Sequence, residues 1–201
     1  MKLPEVIKGV LARNVRLFSF DERLNAEIPA EVDLTDRGLV MVDAIHHLTH
    51  KGIVYDLSAY AAAVADGASL DLTLAVDNNK TVHLLPHGAA ESKAMSYLYE
   101  APTVTVAGTP VTAANRNRRD FAPAHTTSIE LAPTVSDPGT LLHQQAMFAA
   151  TGAGNKLGAP STGGTSEWVL KEGETYLFRM TNLAGQAADA WLNLVFYEAD
   201  Q

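Results

Sequence analysis

The densest imidazole cluster in the chain is "HHLTH", in which His46 and His50 stand four residues apart. On a helix that spacing puts both rings on one face, as in zinc hydrolases. Such a site also needs a Glu beside the first His to activate water, and the neighbour here is His47. On a strand the two would again share a face, and a cupin-like metal centre would have to recruit His83 or His87 and a carboxylate from distant strands. The chain has no cysteine, which excludes thiolate ligands and disulfides. The expectation is no metal, no cofactor and no catalytic residue, with the imidazoles bonding locally or lining an interface. The glycines of "GAGNKLG" lack the Lys followed by Ser or Thr that would make a phosphate loop, and no Gly-x-Ser-x-Gly nucleophile turn exists. Glu167, Glu172, Glu174 and Glu198 fall at strand ends and turns, where a solvated charge is the default.

Cations concentrate at Arg116, Arg118 and Arg119, inside the loop-like "NRNRRDFAPAH". Two readings compete: a solvated loop, or a docking contact in which guanidinium forks meet carboxylates of a partner. The surrounding charge narrows the partner. With 15 Lys and Arg against 23 Asp and Glu, the formal net charge is -8. A surface built to bind phosphate backbones would be basic, so nucleic acid is not the expected partner.

These groups must be carried by strands. Trp168, Leu170, Tyr176, Phe178, Met180, Leu192, Leu194 and Phe196 recur at every second position, the period of a strand with one buried face. Trp168→Ala is accordingly expected to cost about 3–5 kcal/mol, the value for a fully buried aromatic. Upstream, "LDLTLAV", "DNNK" and "TVHLL" read as a hairpin, followed by "AMSYLYE", "TVTVAG" and "HTTSIEL". Tyr97, Tyr99, Trp168, Trp191 and Phe196 are assigned mostly to the core, with at least one at a subunit interface. The stretch "YDLSAYAAAVADG" is ambiguous between strand and a helical turn or two.

The fold expected is all-β, an antiparallel, jelly-roll-like β-sandwich over residues 41–201 with an N-terminal arm at 1–40. Pro29 and weak periodicity keep the arm out of the core. Its apolar residues, including Val10, Leu11, Leu17 and Phe18, are too many for solvent and are expected to bury against another subunit or a partner. Glu5, Lys8 and Arg13 interrupt the apolar run a signal peptide needs, and no segment reaches the length of a membrane span, so no membrane partner is expected.

One ordered set of motifs carries a resemblance. "H-x-G-x-x-Y" (His50, Gly52, Tyr55), "SYLYEAPTVTVAGTPVTAANRNRR", "SEWVLKEGETYLFRMTN" and a closing "FYE" span roughly Ala44 to Glu198. Together they resemble a family of small tailed-bacteriophage virion proteins similar to capsid decoration, or cement, proteins. The resemblance implies a non-enzymatic β-sandwich, made in the host cytoplasm and placed on the capsid exterior. It implies a homo-oligomer, a trimer, bridging subunits of the major capsid protein. "RRDF" departs from the small polar residues expected after the Asn-Arg motif, and the first 40 residues have no counterpart. A head-fibre or tail-associated adaptor or receptor-binding protein is the alternative role. A cupin-like metalloenzyme ranks last.

Overall fold

A computed structural model describes residues 44–119, 123–147 and 167–200, and of the first forty only the strand segments 18–21, 26–29, 31–32 and 39–40. Val10, Leu11 and Leu17, the side chain of Phe18, residues 120–122 and the Gly-rich stretch 150–166 lie outside the described residues. The chain divides into two units, residues 1–47 and 48–201. In the first, β1 (Phe18–Asp21) pairs antiparallel with β2 (Ala26–Pro29), and β3 (Glu31–Val32) with β4 (Leu39–Val40).

"HHLTH" lies in a helix, α1 (Ala44–Lys51), ended by Gly52. Gly52 donates to Thr49 O and Ile53 to Leu48 O, a paired C-terminal closure that needs a left-handed residue after the helix. Gly52 supplies it at φ 76°. Strands then follow one another: β5 (Val54–Val64), β6 (Ser69–Ala75), β7 (Lys80–Ala90), β8 (Ala94–Glu100), β9 (Thr103–Val106), β10 (Thr109–Pro110), β11 (Ala114–Asn115) and β12 (Ser128–Leu131). After them come β13 (Thr134–Asp137), β14 (Thr140–Met147), β15 (Trp168–Leu170), β16 (Thr175–Asn182) and β17 (Ala188–Asp200). The ambiguous "YDLSAYAAAV" is thus strand.

Two sheets form, in the orders β11-β5-β17-β7-β15 and β10-β12-β6-β16-β8-β14, with every pairing antiparallel. Of the eight principal strands, consecutive ones change sheet at every step except from β8 to β14. This is the order of a jelly roll, two interleaved Greek keys. The sandwich expectation holds, and one local expectation is corrected. "LDLTLAV" and "TVHLL" do not pair as a hairpin: β6 and β7 lie in opposite sheets, joined by a turn in which Asp77 Oδ1 accepts from Asn79 N at 2.9 Å. β6 pairs instead with β12 and β16, and β7 with β17 and β15, and both turn apolar side chains into the core between the sheets.

That core is built by the predicted alternation. Leu192, Leu194 and Phe196 on β17 and Val82 and Leu84 on β7 meet Leu72 and Leu74 on β6, Leu98 on β8, and Tyr176, Phe178 and Met180 on β16. Each fully buried Leu, Phe or Met contributes about 1.5–3 kcal/mol relative to exposure. A side chain on Gly88 would overlap the methyls of Met180 and Met147, which places even-numbered β7 residues on the core side. Trp168 is only half-buried against this core, and its indole nitrogen has no hydrogen-bond partner among the described residues. The expected cost of Trp168→Ala therefore falls below about 3 kcal/mol, the low end for a fully buried aromatic, measurable by urea unfolding. Tyr97 and Tyr99 are also corrected. Ala94, Ser96 and Leu98 take the core phase of β8, so the tyrosines stack on the outer face with ring centroids 5.6 Å apart.

Residues 101–139 are an insertion between β8 and β14, and they build the edge of both sheets. The chain leaves β8 at Ala101 (φ 56°) and returns to β14 through Gly139 (φ 83°). A Cβ at Gly139 would approach Ala101 O to 2.7 Å, so glycine is required there. Between these points β9 and β13 pair, β10 and β12 extend the second sheet beyond β6, and β11 joins β5 in the first. Leu177, in the outward phase of β16 between Tyr176 and Phe178, is also 0% exposed.

At the foot of this insertion, Tyr176 Oη donates to Glu100 Oε2 at 3.1 Å and accepts from Lys171 N at 2.8 Å, while Lys171 Nζ reaches Glu100 Oε1 at 2.6 Å. Burial pushes the Tyr176 phenol up to about 12, against the pull of the Lys171 amide and with a further push from Glu100. A raised folded-state value means the native state holds a proton that the unfolded chain releases near 10. The stabilisation is complete below pH 10 and is lost as pH rises toward about 12. Melting temperatures in alkaline buffers should fall over that window, and Tyr176→Phe should flatten part of the fall. An equal fall in the variant would contradict this assignment.

Candidate functional site

Three of the quoted motifs meet at one end of the first sheet. β11 places Asn115 opposite Tyr55 on β5, and Arg116 N continues the ladder to Val54 O at 2.9 Å. The Asn115 amide donates to Gly52 O at 2.7 Å and to Pro123 O at 2.9 Å; that of Asn117 donates to His50 O at 2.9 Å. Both asparagines are buried, and they satisfy carbonyls left unpaired at the end of α1. Their side-chain oxygens fold the loop. Asn115 Oδ1 accepts from Asn117 N at 2.8 Å and Asn117 Oδ1 from Arg119 N at 3.2 Å, two successive Asx turns that use the two-residue spacing.

The closing "FYE" holds the far side of the loop. Phe196 pairs with Tyr55 across the strands and stacks on it at 5.2 Å. Glu198 is 6% exposed, and its carboxylate accepts from Thr127 N at 2.7 Å, Thr127 Oγ1 at 2.6 Å and Thr126 N at 2.9 Å, with Thr126 Oγ1 at 3.3 Å. His125 completes the bracket. Its Nε2 accepts from Ala113 N at 3.0 Å, so the proton sits on Nδ1 and is donated to Thr127 O at 2.7 Å. The ring packs edge-on against Tyr55 and Phe196.

On this frame the three candidate arginines part company. Arg116 contacts Asp56 Oδ2 through Nε at 3.1 Å and Nη2 at 2.8 Å, an exposed pair that fixes the side chain along β5. Arg118 and Arg119 are exposed, and neither is paired with a carboxylate among the described residues. The site is therefore a braced loop presenting two guanidinium forks, with its other polar groups committed to holding backbone.

A second cluster lies beside it on the outer face of the first sheet. His83, 3% exposed, places Nδ1 2.7 Å from Glu167 Oε1 and stacks on Tyr197, whose hydroxyl also bonds Glu167. Two carboxylates expected in solvent, Glu167 and Glu198, are thus structural. His87 is exposed further along β7, and His46 and His50 are exposed on α1. Among the described residues no three His, Asp or Glu side chains gather as a metal-binding group. No described helix is long and apolar enough to cross a membrane.

His125, the Thr126–Thr127 pair and the bracing role of Glu198 were not legible in the sequence. The signal was present only for the asparagines, in the Asn-x-Asn spacing.

The fold and site define an all-β jelly roll with a braced cationic loop. No family model, curated protein or solved structure matches the chain.

Proposed function

We propose that this chain is a structural virion protein, a decoration or cement protein that binds the outer surface of a tailed-phage head and bridges major capsid protein subunits as a homotrimer. Jelly rolls serve capsid, lectin and cupin domains alike, so the frame alone selects none of these roles. The observation that supports this reading is the convergence of "H-x-G-x-x-Y", "NRNRR" and "FYE" on one loop, where they spend their polar groups on bracing and leave Arg118 and Arg119 outward.

A braced loop suits docking because little ordering entropy remains to be lost on contact. Guanidinium forks suit carboxylates on a capsid surface, and an acidic body suits a position outside the shell rather than against the genome. Contacts of about 800 Å² per partner, repeated by lattice symmetry, need only modest individual affinity. Quantitative mass spectrometry of purified particles tests the role. A copy number comparable with that of the major capsid protein is the expected outcome; a small fraction of it would favour a tail or fibre part, and absence from particles would end the reading.

A further inference from the structure

The outer face of the first sheet is closed at one end, by the buried His83, Tyr197 and Val54, and open at the other. At the open end Tyr60 is 52% exposed and lies against Trp191, with ring centroids 5.2 Å apart and planes tilted by 36°. The pair is held in place. Tyr60 Oη donates to Asp189 Oδ2 at 2.7 Å, and Asp189 Oδ1 accepts from Ala63 N at 2.9 Å. Asp189 is tied in turn to Glu91, through Glu91 N to Asp189 O at 2.9 Å and Asp189 N to Glu91 Oε2 at 3.3 Å.

One step along the strands, about 7 Å away, Ser58, Asn193 and His87 stand side by side on β5, β17 and β7. They share the outer face with Tyr60 and Trp191. Ser58 and His87 are exposed and Asn193 is half-buried. None of the three side chains has a hydrogen-bond partner among the described residues.

We propose that this face is a binding site for neutral pyranose sugars. A fixed, exposed aromatic ring offers a flat surface to the C–H face of a sugar, and the unspent donors and acceptors of Ser58, Asn193 and His87 lie where the hydroxyls of that sugar or its neighbour would reach. Asp189 and Glu91 beside the ring select against anionic sugars. A protein partner fits less well. Interface cores are depleted of charge and join several apolar side chains, whereas this aromatic pair is bordered by two carboxylates and a polar row. The inference stands apart from the head-surface reading and concerns other residues, the Tyr60–Trp191 end of the face rather than the 115–119 loop.

The test is a glycan array carrying neutral gluco-, galacto- and manno-oligosaccharides beside sialylated and uronic-acid ones, probed with the full chain. Retained neutral oligosaccharides are then titrated while Trp fluorescence is followed. Neutral members should be retained, and their binding should perturb Trp191. Tyr60→Ala should weaken binding about tenfold or more, and Tyr60→Phe, which keeps the ring, should stay within about threefold. Tyr60 is exposed, so both variants should keep the parent circular dichroism spectrum. Arg118→Ala with Arg119→Ala should bind sugar as the parent does, which separates this site from the loop. Retention of acidic sugars alone, retention of none, or unchanged affinity in Tyr60→Ala would overturn the proposal. So would a Tyr60→Ala variant that turns an oligomer into a monomer, since the face would then be a subunit interface.

Discussion

Glu198→Ala should destabilise the sandwich by about 3–5 kcal/mol, because it leaves two backbone amides and two hydroxyls without their buried acceptor. The Thr126 and Thr127 hydroxyls can rotate toward other partners, but the amides of the same residues cannot. Glu198→Gln should fall between parent and Ala. One oxygen still serves Thr127 N, and an NH2 group now confronts Thr126 N. The damage should spread, because Pro123, which accepts from Asn115, is on the same bracket. Urea unfolding of the three proteins checks this. A loss below about 1 kcal/mol for Ala would mean that solvent replaces the carboxylate and the bracket is dispensable.

The second large effect is on docking. Replacing Arg116, Arg118 and Arg119 together with Ala should leave folding intact, since the Arg116–Asp56 pair, the one they make among the described residues, is exposed and worth about 0–1 kcal/mol. Loss of a buried, hydrogen-bonded charge contact across an interface costs about 2–5 kcal/mol. The triple variant should therefore fail to co-sediment with heads stripped of this protein. Lys at 118 and 119 should restore binding only in part, because an ammonium lacks the planar fork. Normal co-sedimentation of the Ala variant would return the loop to a solvated one.

Strand phase was legible wherever one face is purely apolar. On β17 the phase of Leu192, Leu194 and Phe196 has no polar residue while the other phase carries Asn193, so the first set faces the core and Trp191, expected mostly in the core, takes the outer phase against Tyr60. It failed at "AMSYLYE", where both phases carry apolar side chains and the smaller set, Ala94, Ser96 and Leu98, faces the core. Partner choice was less legible than phase, since neither β6 nor β7 encodes whether it pairs with or faces the other. The candidate site was half legible. Cation density marked Arg116, Arg118 and Arg119, but the brace is assembled from segments far apart in sequence, and only the fold brings His50, Asn117 and Glu198 to one end of a sheet.

A density map of the intact particle tests the central proposal most directly. It should show jelly-roll density on the outside of the head, repeated with the capsid lattice and arranged in trimers, with the 115–119 loop turned toward the shell and Arg118 and Arg119 against acidic side chains of the major capsid protein. A head surface without this density, or a jelly roll whose 115–119 loop points into solvent, would contradict it.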